Sequence, residues 1–335
     1  MIPAASAYDD AVLARLRRGL ALAERPFAVL AADVGACEQE VVADVRRLLT
    51  SGRFDGLAPV FPAAAFGLRP TTVAASVPGG AEWRAERILT QHPGVSHVTF
   101  RDHTFAVWFS IAIDPASRLG LAGTLRVLGD ELAARAIHPL PARRVIIAGG
   151  RPWPVVPTPA KDGRRPFDRA VVLALQAGVP VDERPFARGA AMLGTSERAL
   201  VEHLRDMRRR RMLLRVGAVG ARSPRAGDRA VLALRDADEA AADRVVALPA
   251  VAAVTHRVGC TGFPYSTHVS LTAPDGAIED TAAEVERASR AAGSILLRAR
   301  RTVKLRRLLF APEEHELWED LHARGLVSTD RSPGG

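Results

Sequence analysis

The chain has 335 residues, of which 48% are hydrophobic and 25% are charged. These proportions exclude a largely disordered protein and allow two or more domains, each with its own core. The formal net charge of +9 and the sequence pI near 10.8 favour an anionic partner, either nucleic acid or a small polycarboxylate.

The two cysteines, Cys37 and Cys260, lie far apart and form no CxxC pair. Neither a disulfide framework nor a cysteine-built zinc site is therefore indicated. The opening segment MIPAASAYDD lacks the pattern of a signal peptide, and no uninterrupted apolar run of 18 residues occurs. We therefore expect a cytoplasmic protein that neither enters nor crosses a membrane.

The first third of the chain predicts a helix-turn-helix. Apolar spacing predicts helices over 8–18, 26–34 and 37–51, with Pro26 suited to a first helical turn and Gly35 to the tight turn that follows.

A βαββαβ pattern follows, which is typical of a ferredoxin-like sandwich. Its predicted elements are a strand at 71–77, a helix at 80–91, strands at 94–101 and 104–113, a helix at 119–135 and a strand at 142–148.

The chain is an internal duplication. ERPFAVLAADVG from Glu24 matches ERPFARGAAMLG from Glu183, an offset of 159 residues that also carries His97 onto His256. The same offset superimposes two apolar helical stripes, Val41, Val45, Leu48 and Leu200, Leu204, Met207. The predicted fold class is α+β, a tandem duplication of a helix-turn-helix followed by a ferredoxin-like βαββαβ unit.

The second copy predicts helices from 167 to 212 and strands near 229–235, 251–258, 266–273 and 294–304. The expected segments are a helix-turn-helix at 1–62, an αβ sandwich at 63–150, a Pro/Gly-rich linker at 151–165, a second helix-turn-helix at 166–222, a second sandwich at 223–312, and a C-terminal helix with a disordered tail at 313–335.

Strand alternation separates a polar sheet face from an apolar one. His97, Thr99 and Arg101 share the polar face, and Val98 and Phe100 point the other way. On the next strand the apolar set is Phe105, Val107, Phe109 and Ile111, and the opposite set is Thr104, Ala106, Trp108 and Ser110. We expect the face with His, Arg and Trp to meet the other copy and enclose a ligand.

Two resemblances follow from these residues. A helix-turn-helix joined to a βαββαβ domain resembles the Lrp/AsnC family. The Val-Ser-His run, Arg101, His103 and Trp108-Phe109 resemble one subunit type of the siroheme decarboxylases, and FPYS at 263–266 is similar to the Trp-Pro-Tyr-Asn run of the other type. The departures are Ala106 for Asn, Val98-Thr99 for Asn-Tyr, Phe263 for Trp and Ser266 for Asn.

The resemblance implies a fused pseudo-heterodimer that removes carbon dioxide from two acetate side chains of siroheme. The product would be 12,18-didecarboxysiroheme, which leads to a d1-type heme or to heme by an alternative route. It implies siroheme as the ligand and other heme-biosynthesis enzymes as partners, and it leaves open a further homodimer.

Basic and aromatic residues are the expected substrate contacts, because siroheme carries eight carboxylates and arginine matches a carboxylate well. The candidates are Arg101, Arg143, Arg144, Arg257, Arg300 and Arg301, with Trp108 and Tyr265 as the flat wall for the macrocycle.

His97, His103 and His256 are the candidate catalytic residues, because decarboxylation needs a proton donor and histidine titrates near neutral pH. No protein-bound cofactor and no metal site of the protein's own are expected. The iron arrives with siroheme, and a histidine that ligates it would be an anchor and not an acid.

Two other functions stay open. One is a DNA-binding regulator, although Glu38 and Glu40 would repel phosphates at the start of the first recognition helix. The four-arginine run at 207–212 lies at the end of the second recognition helix, away from the end that reads bases. The other function is a tetrapyrrole-binding protein without turnover.

Overall fold

A computed structural model describes residues 7–147, 151–152, 165–220, 228–237, 239–303 and 312–324. In chain order the helices are α1 (Ala7–Arg18), α2 (Pro26–Val34), α3 (Glu38–Thr50), α4 (Glu82–Gln91), α5 (Gly120–Glu131), α6 (Pro166–Leu175), α7 (Ala187–Met192), α8 (Glu197–Arg209), α9 (Glu239–Val246), α10 (Ile278–Ser289) and α11 (Pro312–Ala323). The strands are β1 (Gly56–Val60), β2 (Thr71–Ser76), β3 (Val95–Arg101), β4 (Val107–Ile111), β5 (Ala136–Leu140), β6 (Ala142–Ile147), β7 (Arg151–Pro152), β8 (Arg215–Val219), β9 (Asp228–Arg235), β10 (Val251–Arg257), β11 (Thr267–Ala273) and β12 (Gly293–Thr302).

The chain divides into two compact units, and each unit combines segments from both copies. Unit 1 contains Met1–Gly67 and Val156–Pro224, and unit 2 contains Leu68–Val155 and Arg225–Gly335. The helix-turn-helix segments thus form one unit and the αβ segments form the other. The predicted tail at 325–335 and most of the predicted linker lie outside the described residues, and none of the helices within those ranges is long and apolar enough to cross a membrane.

Unit 1 confirms both predicted helix-turn-helix motifs. Pro26 begins α2, and Gly35 ends it with a positive φ of 70° that favours glycine. The predicted apolar stripes of α3 and α8 are buried.

An antiparallel pair of strands, β1 and β8, also joins the two copies in unit 1, and the sequence did not predict it. Proline is disfavoured in strands and glycine weakens them, so Pro59 in β1 and Gly217 in β8 mask the pattern. Leu20 N–H donates to Val216 O at 2.7 Å, so the end of the first α1 packs on the strand of the second copy.

Unit 2 contains one ten-stranded sheet in the order β5-β2-β4-β3-β12-β9-β11-β10-β6-β7. The two copies exchange their last strands. β5 pairs with β2 of its own copy, whereas β6 crosses to β10 of the second copy. The first part of β12 pairs with β9, and its second part pairs with β3. The single strand predicted at 142–148 is therefore two strands interrupted at Pro141.

The helix-covered face of the sheet is apolar, as predicted. Val98, Phe100, Val107, Phe109 and Ile111 form one core with α4 and α5. The prediction was wrong for Phe105, which packs with Trp108 on the opposite face. The reason is that β4 begins at Val107, so Phe105 lies in the preceding turn and does not follow strand alternation.

Candidate active site

The uncovered face of the sheet carries an aromatic cluster built by both copies. It contains Ala74, Phe105, Trp108, Leu140, Ala233, Phe263 and Leu297, with Tyr265 at its margin. We call this cluster and the polar residues around it the inner face. Phe263 is fully buried at its centre, 5.4 Å from Trp108 and 5.1 Å from Tyr265 between ring centroids. Phe263 therefore keeps an aromatic ring where the related subunits have Trp.

Arg101 and Arg257 flank the cluster in equivalent positions. Arg101 donates to Leu297 O at 2.6 Å, and Arg257 donates to Leu140 O at 2.7 Å. The guanidinium of Arg101 also lies over the Trp108 ring, 5.4 Å from its centroid. Each arginine thus reaches across to the last strand of the other copy.

Both guanidinium groups are short of hydrogen-bond acceptors. The Nε atoms of Arg101 and Arg257 are buried without a hydrogen-bond partner, and within the described ranges neither side chain pairs with a carboxylate. Burial lowers the pKa of each guanidinium to about 10. Because an unsatisfied buried polar group costs about 1–3 kcal/mol, this arrangement favours an anionic ligand.

Strand register gives the true equivalence of the two copies on this face. Val98 pairs with Phe109, and Val254 pairs with Val269, so β3 and β10 are related by 254 − 98 = 156 residues. Arg101 and Arg257 are therefore counterparts. By the same register Trp108, opposite Thr99, corresponds to His268, opposite Thr255.

The predicted equivalence of His97 and His256 is wrong. The counterpart of His97 is Ala253, and His256 takes the place of Phe100. Alternation puts His256 on the helix-covered side of β10, where its Nδ1 lies 3.2 Å from Thr267 Oγ1. The gapless offset failed because α9 is shorter than α4.

His97 and His103 lie at different ends of the inner face. His97 is exposed, its Nδ1 is 3.4 Å from Ser96 Oγ, and its pKa is lowered by partial burial and by the charge of Arg101. His103 is stacked on Phe105 with centroids 6.0 Å apart, and burial lowers its pKa. The backbone N–H of Phe105 donates to His103 Nδ1 at 3.0 Å, so neutral His103 carries its proton on Nε2.

His268 is the main residue that the sequence analysis missed. It is 4% exposed, and its ring centroid is 5.8 Å from both Trp108 and Phe263. Burial first, and then the charges of Arg257 and Arg101, lower its pKa to about 3. Its Nε2 lies 3.2 Å from Tyr265 O, and because a carbonyl only accepts, the proton is on Nε2 and the lone pair on Nδ1.

His138 was also missed, because its strand was predicted to begin at 142. It lies opposite Ala74 on β2, and its ring centroid is 5.7 Å from that of Phe105. Alternation with Leu140 would have placed it on the inner face if β5 had been recognised.

Four other predicted arginines are not brought to the inner-face cluster. Arg300 and Arg301 pair with Glu82 and Glu86 of α4, and Arg301 also lies 5.2 Å from the Phe100 ring on the helix-covered side. Arg143 and Arg144 are exposed, and in the part of the chain that is described neither forms an ion pair. A residue inserted in β6 and in β12 at the crossing point turns these side chains away.

The fold and site together define a class: a duplicated Lrp/AsnC-like protein whose αβ unit carries a basic, aromatic inner face. A family profile described as the siroheme decarboxylase NirDL-like HTH domain matches residues 9–53 and 168–213. The siroheme decarboxylase NirG subunit of Pseudomonas aeruginosa is 31% identical over 124 residues, which are 37% of this chain and 83% of that subunit. The chain belongs to the siroheme decarboxylase family.

Longer relatives match with lower coverage. The siroheme decarboxylase of Hydrogenobacter thermophilus is 26% identical over 63% of this chain and 65% of its own length. The NirDL subunit of Paracoccus denitrificans is 29% identical over 63% of this chain, and the match spans 66% of that subunit. The crystal structure of the siroheme decarboxylase NirDL matches the fold with a TM-score of 0.77 at 22% identity, over 95% of this chain and 99% of that one.

Proposed function

We propose that this chain decarboxylates two acetate side chains of siroheme and forms 12,18-didecarboxysiroheme. The observation that carries the proposal is the pair Arg101 and Arg257, whose buried guanidinium groups lack acidic partners beside an aromatic wall. A polycarboxylate with a flat apolar ring system matches both features. The names of the relatives support the same substrate, and a NirDL structure was solved with an iron-uroporphyrin III analogue.

The reaction needs one proton for each acetate. The bond between the methylene carbon and the carboxylate breaks, carbon dioxide leaves, and the electron pair stays on the methylene carbon or is delocalised into the ring. A proton then converts that carbon to a methyl group. No oxidant or reductant is consumed, and the iron belongs to the substrate.

His97 and His103 are the proposed proton donors. Their pKa values lie below the ordinary value in the empty site, so both are neutral at pH 7. Substrate carboxylates placed beside them would raise these pKa values, so proton uptake would accompany substrate binding. His256 is left out of this proposal because it lies on the helix-covered side of β10.

The arginines are proposed to hold carboxylates that the substrate keeps. A firm ion pair stabilises a carboxylate in the ground state and would slow its loss, whereas a poorly solvated carboxylate leaves readily. Arg101 and Arg257 therefore serve to orient the macrocycle, and the acetate that reacts lies nearer the histidines.

A DNA-binding role is disfavoured by the geometry of unit 1. Arg46 of α3 donates to Val181 O at 2.9 Å, and its counterpart Arg205 of α8 donates to Leu22 O at 2.8 Å. Each recognition helix therefore turns a side of itself toward the other copy and not toward a groove.

Ion pairs reinforce this arrangement at the starts of both recognition helices. Arg25 pairs with Glu38 and, at 2.9 Å, with Glu183 of the other copy. Its counterpart Arg184 pairs with Glu197 at 2.7 Å and with Glu24 at 3.1 Å. In the arginine run, Arg210 is engaged by Asp168 at 2.7 Å. Nanomolar, sequence-selective duplex binding at physiological salt would overturn this conclusion.

Anaerobic incubation with siroheme, followed by mass spectrometry of the extracted tetrapyrrole, tests the proposed function. We expect two successive losses of carbon dioxide. A spectral change on binding with no mass loss would instead support the carrier without turnover. The test leaves both onward routes open, to a d1-type heme and to heme, as well as association with other enzymes of either route.

A further inference from the structure

The C-terminal helix α11 follows β12 of the second copy but packs on the first copy. Its inward positions have the i, i+3, i+4, i+7 spacing that usually carries apolar residues. Here they are His315, Trp318, Glu319 and His322, so three of the four are titratable. Such a stripe needs specific polar partners, and α11 has them.

Glu319 caps the N-terminus of α5. Its carboxylate accepts the backbone N–H groups of Arg118 at 3.1 Å and Leu119 at 3.5 Å, and Leu119, the N-cap, has no side-chain cap of its own. The Nε2 of His322 lies 2.7 Å from Glu131 at the other end of α5. These contacts fix α11 against α5 at both ends.

His315 packs against the turn that leads into β3. Its ring centroid is 5.6 Å from that of His92, and a methyl group at Gly94 would overlap His315 and the Ala112 carbonyl oxygen. The N–H of Gly94 donates to His92 Nδ1 at 3.0 Å, and its carbonyl accepts Ala112 N–H at 3.0 Å. The irregularity in β3 that precedes His97 begins directly after this turn.

The second copy makes the same turn without a histidine. Val251 N–H donates to Leu248 O at 3.0 Å and Thr272 N–H donates to Ala250 O at 2.9 Å, and β10 has the same irregularity before Ala253. The turn therefore does not need a histidine pair in order to form. The His92–His315 contact is an addition to the copy that carries His97.

We propose that α11 is a positioning element: by holding the His92–Gly94 turn, it fixes the geometry in which β3 presents His97 to the substrate. This inference rests on the proposed function, since it assigns His97 to the reaction. His315 acts through Gly94 and β3 and does not itself contact the inner face.

Replacement of His315 by Ala in the full-length protein tests the proposal. We expect kcat to fall about 10- to 100-fold because the donor is misplaced, with KM and the siroheme-bound spectrum changed less than about twofold. The pH profile of kcat should shift, since His97 moves relative to Arg101. Leu317→Ala is the matched control, because Leu317 is 58% exposed on the same helix.

Hydrogen exchange of the amides of residues 92–98 gives a second readout that does not depend on turnover. Exchange should accelerate in His315→Ala and not in Leu317→Ala. If His315→Ala fails to fold, Glu319→Gln applies the same test with a smaller change, since it weakens the α5 cap and preserves side-chain size.

Unchanged kcat, pH profile and exchange in a folded His315→Ala or Glu319→Gln variant would overturn the proposal. Failure of the proposed function would be distinct: wild-type protein would leave siroheme intact, whereas the exchange difference would still show whether α11 holds β3.

Discussion

At the scale of single residues, the two arginines of the inner face form the strongest link between sequence and function. A guanidinium is always charged at neutral pH, so burying its Nε without an acceptor opposes folding of the empty protein. Because both copies preserve this feature at equivalent positions, Arg101 and Arg257 fit a ligand that presents carboxylates to both sides of the aromatic cluster.

Arg101→Ala and Arg257→Ala should each weaken siroheme binding by about 1–3 kcal/mol, or about 5- to 150-fold in Kd, because each removes a charged hydrogen bond. Binding is measured by spectral titration at fixed ionic strength. Arg300→Ala is the matched control, since Arg300 forms an exposed ion pair with Glu82. Equal affinity in all three variants and the wild type would remove these arginines from the site.

His268 should make the empty protein sensitive to acid. Its folded-state pKa of about 3 lies below the ordinary value of 6.5, so its contribution to stability is complete above pH 6.5 and declines as the pH falls toward 3. From pH 6.5 to 5 the free energy of unfolding should fall by about 2 kcal/mol more in the wild type than in His268→Gln.

Urea unfolding of both proteins at several pH values checks this prediction. Parallel pH dependences for wild type and His268→Gln would mean that His268 is not buried in neutral form. Bound siroheme should reduce the difference, because its carboxylates would offset the arginine charges that lower the pKa of His268.

At the scale of secondary-structure elements, the sequence predicted what local periodicity determines. The helices of both helix-turn-helix motifs, the helices α4 and α5 and most strands of unit 2 follow apolar spacing, which appears in the sequence directly. β1, β8 and β5 were missed, because their pairing partners lie in the other copy or across a break at Pro141, and long-range pairing leaves no local pattern.

The candidate site was predicted in part for the same reason. Arg101, Trp108, Tyr265 and Arg257 were identified from alternation and resemblance, and the structure places them at the cluster. The misplacement of His256 came from length changes: α9 has 8 residues and α4 has 10, and the loop before β11 is longer than the loop before β4. Only the strand register reveals the shift.

Gly217→Ala should disturb the interlocking of the two helix-turn-helix copies. A methyl group at this position of β8 would overlap the Leu16 carbonyl oxygen of α1, which cannot move without distorting the helix. We expect a loss of about 1–3 kcal/mol in unfolding free energy. Gly79→Ala, where a methyl group meets nothing within 4 Å, is the control, and equal stability of the two variants would contradict this packing.

At the scale of the whole molecule, duplication has produced a paired scaffold with unlike halves. The two copies share strand register, exchanged last strands and the arginine pair, yet Trp108 faces His268 and His97 has Ala253 as its counterpart. A strictly symmetric site would present the same groups twice. The divergence suits a substrate from which only some of several acetates are removed.

Anaerobic single-turnover analysis of siroheme by mass spectrometry tests the central claim most directly, with wild type, His97→Ala and the Arg101→Ala/Arg257→Ala double variant compared in parallel. The wild type should release two molecules of carbon dioxide per siroheme. His97→Ala should bind siroheme but turn over at least about 10²-fold more slowly, and the double variant should fail to bind at the same concentration. Intact siroheme after incubation with the wild type, or wild-type rates in both variants, would contradict the account.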